Sequence, residues 1–178
     1  MTQNKTLTTI AILLITTTAF ATKTTETKHQ HNHGAHAHGA ATLGIAFDGA
    51  NGKIEFKGAA EGVLGFEHSA KTDKDIKTLA AALNSFTNDI AKMIQFETSL
   101  NCAFKADKVE QVPEADNKNH SDFVANYTVT CTKDITGSKL TFDFTKFPGL
   151  KDVDVTLLAG AVQKSAEYKG KSISLDIK

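Results

Sequence analysis

Arginine and tryptophan are absent from the 178 residues, and proline, cysteine, methionine and tyrosine each occur only twice. Nucleic-acid readers cluster basic charge and use arginine for bidentate base contacts. Here 20 lysines balance 20 acidic residues, which makes nucleic acid a poor partner. Without tryptophan, an aromatic cage or a sugar-stacking platform lacks its best ring. Of the two methionines, Met1 and Met93, the first falls in a leader-like stretch, so no thioether-rich copper(I) site exists. The two cysteines show no CxxC spacing, which argues against a thiolate zinc knuckle or a dithiol redox motif. HExxH, GxSxG and a Walker-type glycine loop are all missing. The chain therefore reads as a binding protein and not an enzyme.

The N-terminus reads as an export signal over residues 1–21. Lys5 supplies the positive charge, Leu7 to Ile15 the apolar stretch, and Ala19-Phe20-Ala21 the small-x-small cleavage pattern. That stretch is too short to cross a bilayer about 30 Å thick as a helix, and no other segment is long and apolar enough. The expected mature protein starts near Thr22, carries no stable membrane insertion and resides in the periplasm. A flexible, histidine-rich segment over 22–38 then leads into one β-rich domain over 39–178. In an oxidising compartment Cys102 and Cys131 favour a single structural disulfide.

From Ala41 onward the hydrophobic pattern has period two. Leu43, Ile45 and Phe47 are followed, after Asp48-Gly49-Ala50-Asn51-Gly52, by Ile54 and Phe56, the mark of a β-hairpin. Ile76, Leu79, Leu83, Phe86, Ile90 and Ile94 instead step by three and four, which predicts one amphipathic helix with Thr72 and Asp75 as its capping box. Leu100 to Phe104, Phe123 to Cys131, Leu140 to Phe144 and Val153 to Leu157 alternate again. Gln163–Tyr168 and Ile173–Ile177 read as a closing hairpin, and 106–121 as a polar loop. The expectation is a mainly β (α+β) fold: an antiparallel sheet or β-sandwich of about eight strands, with one amphipathic helix packed on it.

The chemistry-bearing feature is the run HQHNHGAHAHG, with His29, His31, His33, His36 and His38. Neutral imidazole is a borderline donor suited to zinc, nickel and copper(II). In extended chain, residues two apart project to one side, so His29, His31 and His33 can share an ion, as can His36 and His38. Two more histidines stand apart: His68 closes Gly65-Phe66-Glu67-His68, and His120 opens His120-Ser121-Asp122-Phe123. If the strand starts after His38 and before Phe123 lie close, N and O donors from both converge as tetrahedral zinc requires. Glu67 is placed to join them or to hold a ligand's second nitrogen. The mature start Thr22-Lys23-Thr24 lacks the third-position histidine of an amino-terminal copper or nickel clasp. Zinc is thus the expected metal, with nickel or copper(II) possible in vitro.

HAHG before an alternating strand and a DG turn, then GFEH with a Lys-Thr-Asp helix start, then HSDF-x-x-x-Y-x-x-x-C, then FPG with a valine-rich strand, together resemble the ZrgA family of gammaproteobacterial periplasmic zinc-binding proteins. The resemblance covers residues 35–178. It implies zinc acquisition, with delivery to an inner-membrane ABC-type importer, and ligands at His36, His38, His68, His120 and Asp122. One departure concerns residues 105–119, where relatives often carry a histidine- and aspartate-rich loop and this chain has no histidine. Two other functions fit the composition: a metal buffer or resistance protein sequestering zinc, nickel or copper, and a β-rich envelope interaction module whose histidines are incidental.

Overall fold

The computed structural model describes residues 39–115, 117 and 119–178. The expected export signal over 1–21 and His29, His31, His33, His36 and His38 lie outside the described residues. The first two strands, β1 (Ala40–Asp48) and β2 (Asn51–Ala59), form the expected hairpin. Gly49 turns it with φ +58°, a conformation that glycine adopts without a Cβ penalty. Helix α1 (Ala60–Leu64) follows directly, then α2 (Asp73–Asn88), α3 (Ile90–Met93) and β3 (Ile94–Phe96). The remaining strands are β4 (Ala103–Pro113), β5 (Ser121–Thr130), β6 (Lys139–Phe142), β7 (Asp152–Ala159), β8 (Val162–Tyr168) and β9 (Ile173–Asp176).

The described residues are thus mostly β, with nine strands in two open sheets: a six-stranded sheet ordered β4-β5-β2-β1-β7-β8 and a three-stranded sheet ordered β3-β6-β9. The large sheet is mixed, because β1 and β7 run parallel while its other pairs are antiparallel. The expected antiparallel sheet or β-sandwich is present as a mostly β fold, with this one parallel pair added, which local sequence does not encode. The closing hairpin needs correction. β8 completes the large sheet and β9 the small one, so Gln163–Tyr168 and Ile173–Ile177 are not hydrogen-bonded partners. Val63 and Leu64 are the buried end of α1.

Alternation in the strands buries one face of the large sheet. Leu43, Ile45, Ile54, Phe56, Phe123, Ala125, Tyr127, Val129, Val153, Val155 and Leu157 are all at most 3 % exposed. The small sheet adds Ile94, Leu140 and Phe142 to this core, and α2 adds Phe86. The Phe86 ring lies 4.7 Å from Phe123 and 5.1 Å from both Phe56 and Phe147, in tilted aromatic contacts. The buried Tyr127 hydroxyl donates to the Phe86 carbonyl at 2.7 Å, which ties α2 to the sheet, and burial pushes the phenol pKa up. The capping box is present: Thr72 Oγ1 accepts from Asp75 N–H, and Asp75 Oδ2 accepts from Thr72 N–H. The other face of the large sheet carries Thr42, Lys53, Glu55, Lys57 and Asp154, all exposed.

The disulfide between Cys102 and Cys131 is formed, bridging the start of β4 to the end of β5 beside the Ala103–Thr130 pair. At the opposite end of the sheet one row runs across all six strands, half-buried Gln111 followed by the buried Phe123, Gly58, Ala41, Val153 and Tyr168. β5 spans ten residues, so the two ends are about 30 Å apart.

Candidate metal centre

The row from Gln111 to Tyr168 orients the site, because β1 and β5 both enter the sheet there and run in the same direction. Ala41 and Phe123 occupy equivalent positions in the row. The histidine-bearing motifs HAHG and HSDF each place a histidine three residues upstream of them.

Gly39 fixes where the first motif joins the fold. Its carbonyl accepts from the Lys151 N–H at 2.9 Å and the Asp152 N–H at 3.2 Å. Its φ is +81°, and a Cβ there would stand 2.5 Å from the Gly149 carbonyl oxygen. Gly149, from the FPG motif, approaches α1 just as tightly, since a Cβ on it would stand 2.6 Å from the Gly62 carbonyl oxygen. Three backbones therefore meet at Gly39, Gly62 and Gly149, and at Gly39 and Gly149 only glycine allows the approach. α1 continues from this junction to its left-handed cap at Gly65 and delivers Phe66, Glu67 and His68.

The backbone carrying Glu67 and His68 is fastened to the strand that follows His120. Gln111 Nε2 donates to the His68 carbonyl at 3.0 Å and to Ser121 Oγ at 2.7 Å. The Ser121 hydroxyl, 3 % exposed, donates in turn to the Glu67 carbonyl. This clamp locks the loop after α1 onto the β4–β5 pair, immediately beside His120. His120 Nδ1 lies 2.8 Å from Glu67 Oε2. His68 Nδ1 lies 2.9 Å from the Ser69 carbonyl oxygen, and its ring stacks on Phe66 with centroids 5.0 Å apart. Both imidazoles are half-buried.

Asp122 is not brought to them. Its carboxylate lies on the polar face of the sheet, away from the buried Ser121 and Phe123, and pairs with Lys57 at 2.9 Å. Sequence reasoning also missed Gln111, which it assigned to a polar loop although it lies on β4. A second carboxylate group escaped it too. Asp152, Asp154 and Glu167 offer oxygens within 4.8 Å of one another. The DVD alternation of β7 and the Asp154–Glu167 register explain it. Lys169 already occupies this group, 2.7 Å from Asp152 and 2.6 Å from Glu167. The hydrogen bond to Asp152, then that to Glu167, hold the ammonium pKa above its ordinary value.

A family model described as ZrgA family zinc uptake protein matches residues 35–177. The chain belongs to this family. The match runs from HAHG through to the last strand, so it includes every motif at the glycine junction and the clamp. No curated protein matches the chain. Membership makes it a zinc-uptake-related protein of the binding and transport type. Among the described residues no helix is long and apolar enough to cross a membrane.

Proposed function

We propose that this protein is an exported zinc carrier that captures the ion in the periplasm and passes it to the components of an inner-membrane ABC-type importer. The observation that carries the reading is the convergence at one end of the large sheet. Gly39, the residue directly after His38, is pinned there against α1, and the same helix leads to Glu67 and His68, whose carbonyls accept from Ser121 and Gln111, next to His120 in sequence and register. His36 and His38 supply the remaining nitrogens of a zinc site with three or four ligands. His29, His31 and His33 collect the ion upstream of it. The signal sequence over 1–21 accounts for export. The family description, zinc uptake, favours carrier over buffer.

Calorimetric titration of the metal-free mature chain with zinc tests the reading. A carrier binds with a Kd tighter than about 10 μM, or roughly −7 kcal/mol. The combined replacement of His36, His38, His68 and His120 by alanine removes that binding. Affinity weaker than this in the intact chain, or full retention in the quadruple variant, refutes the carrier. Transcript levels separate carrier from buffer: a carrier rises under zinc starvation, a buffer under zinc excess.

A further inference from the structure

We propose that Glu67 is a positioning residue that sets the tautomer of His120, leaving Nε2 as the lone pair available to a divalent metal. The inference rests on the zinc reading above but concerns a residue that binds no metal itself in this scheme.

The argument starts from what each ring nitrogen faces. A neutral imidazole carries one proton, and the nitrogen without it is the metal donor. His68 Nδ1 faces a backbone carbonyl, which can only accept, so the proton sits on Nδ1 and Nε2 keeps its lone pair. His120 Nδ1 faces the Glu67 carboxylate at 2.8 Å, and an ionised carboxylate likewise only accepts. Both histidines are thus driven to the same Nδ1–H form, by two different partners. A free imidazole favours the Nε2–H form, so this choice is imposed by the surroundings. A carboxylate behind a ligating histidine also fixes the ring plane and raises the basicity of the donor nitrogen.

Glu67 is itself held for this role. Its main-chain carbonyl is gripped by the Ser121 hydroxyl, and Ser121 is the covalent neighbour of His120. Acceptor and imidazole are therefore carried on backbones that are tied to each other. The Glu67 side chain is 16 % exposed, against 35 % for His120, which shields the hydrogen bond from competing water.

The experiment uses the mature chain, metal-free and 15N-labelled at histidine, at a pH well above the ordinary imidazole pKa of about 6.5. Long-range nitrogen–proton correlation spectra read the tautomer of each ring. In the native chain, His68 and His120 both show the Nδ1–H pattern. In Glu67→Ala, which removes the acceptor, His120 moves toward Nε2–H while His68 stays as it was; Glu67→Gln, whose amide oxygen still accepts, keeps the Nδ1–H form. Zinc affinity of Glu67→Ala falls about 10–100-fold, the usual effect of losing such a partner.

A native His120 already in the Nε2–H form overturns the proposal. So does a tautomer that ignores Glu67→Ala, or one that shifts with zinc affinity unchanged. Were Glu67 a direct ligand, its removal would weaken binding without moving the metal-free tautomer, which also counts against the positioning role. Absence of zinc binding in the native chain defeats the carrier reading instead, and the metal-free spectra then still decide whether Glu67 sets the tautomer.

Discussion

Ser121→Ala is the sharpest probe of how the candidate centre is held. The hydroxyl is buried, accepts from Gln111 and donates to the Glu67 carbonyl, so one deleted oxygen breaks two contacts. The methyl that remains fits the space, and no cavity larger than the lost atom forms. The cost is therefore one of hydrogen bonding: about 1–3 kcal/mol for leaving buried polar groups without their partner. At roughly 2–4 °C per kcal/mol for a domain of this size, a midpoint of about 2 kcal/mol lowers the melting temperature by about 4–8 °C. The effect is also local. Amide exchange in residues 66–71 accelerates, because the loop after α1 loses its tether to β4 and β5, while exchange in β1 and β7 is unchanged. Ser165→Ala, an exposed serine on β8, is the control and stays within about 0.5 kcal/mol of the native chain. Scanning calorimetry and hydrogen exchange on the three proteins read all of this. A Ser121→Ala protein that melts with the native one, with protection in 66–71 intact, refutes the clamp.

Replacing Cys102 and Cys131 by alanine removes a loop-closing bridge with a sequence separation of 29 and destabilises the fold by about 3–4 kcal/mol in denaturant titrations. Zinc affinity of the folded double variant stays native, because the bridge sits at the far end of the sheet; a matching loss of affinity contradicts that separation. Gly39→Ala drives a Cβ against the Gly149 carbonyl in a left-handed conformation, so it lowers both the melting temperature and zinc affinity, whereas Gly160→Ala, with open space around it, keeps native affinity. The Thr72 backbone N–H holds the Asp75 carboxyl below its ordinary pKa, so ionised Asp75 adds stability that is full above the unfolded value near 3.9 and is lost as the pH falls through the lower folded value. Melting curves of Asp75→Asn and native chains should converge as the pH drops below about 4; a constant gap down to the lowest pH rules this out.

Strands whose buried face is strictly alternating were readable from sequence, as in Leu43-Gly44-Ile45-Ala46-Phe47 and Phe123 to Cys131, because burial on one face is a local pattern. The helix was readable for the same reason, although it breaks after Asn88, and Ile94 already belongs to a strand. The second half of β4 was taken for a loop. It is an edge strand with little burial, and a register shift between Ala106 and Lys108 interrupts its alternation. The pairing of β1 with β7 and the separation of β8 from β9 depend on contacts distant in sequence, which no window of residues contains. The candidate centre divides in the same way. Imidazoles announce themselves as donors, so His68 and His120 stood out. The opposite facing of Asp122 needed the strand register, and the partnership of Gln111, Ser121 and Glu67 needed the fold, since serine and glutamine carry no chemistry that marks them in advance.

The parallel pair at the heart of the large sheet also dictates the order of events as the chain emerges. β1 is among the first folded residues to appear, but it pairs Ala40 with Asp152, near the other end of the chain. Until β7 arrives, the β1–β2 hairpin has an open edge, a template for unwanted pairing with neighbouring molecules. Contacts that far apart also slow folding. Refolding from denaturant should therefore lose most protein to aggregation at high concentration, before β7 has paired with β1.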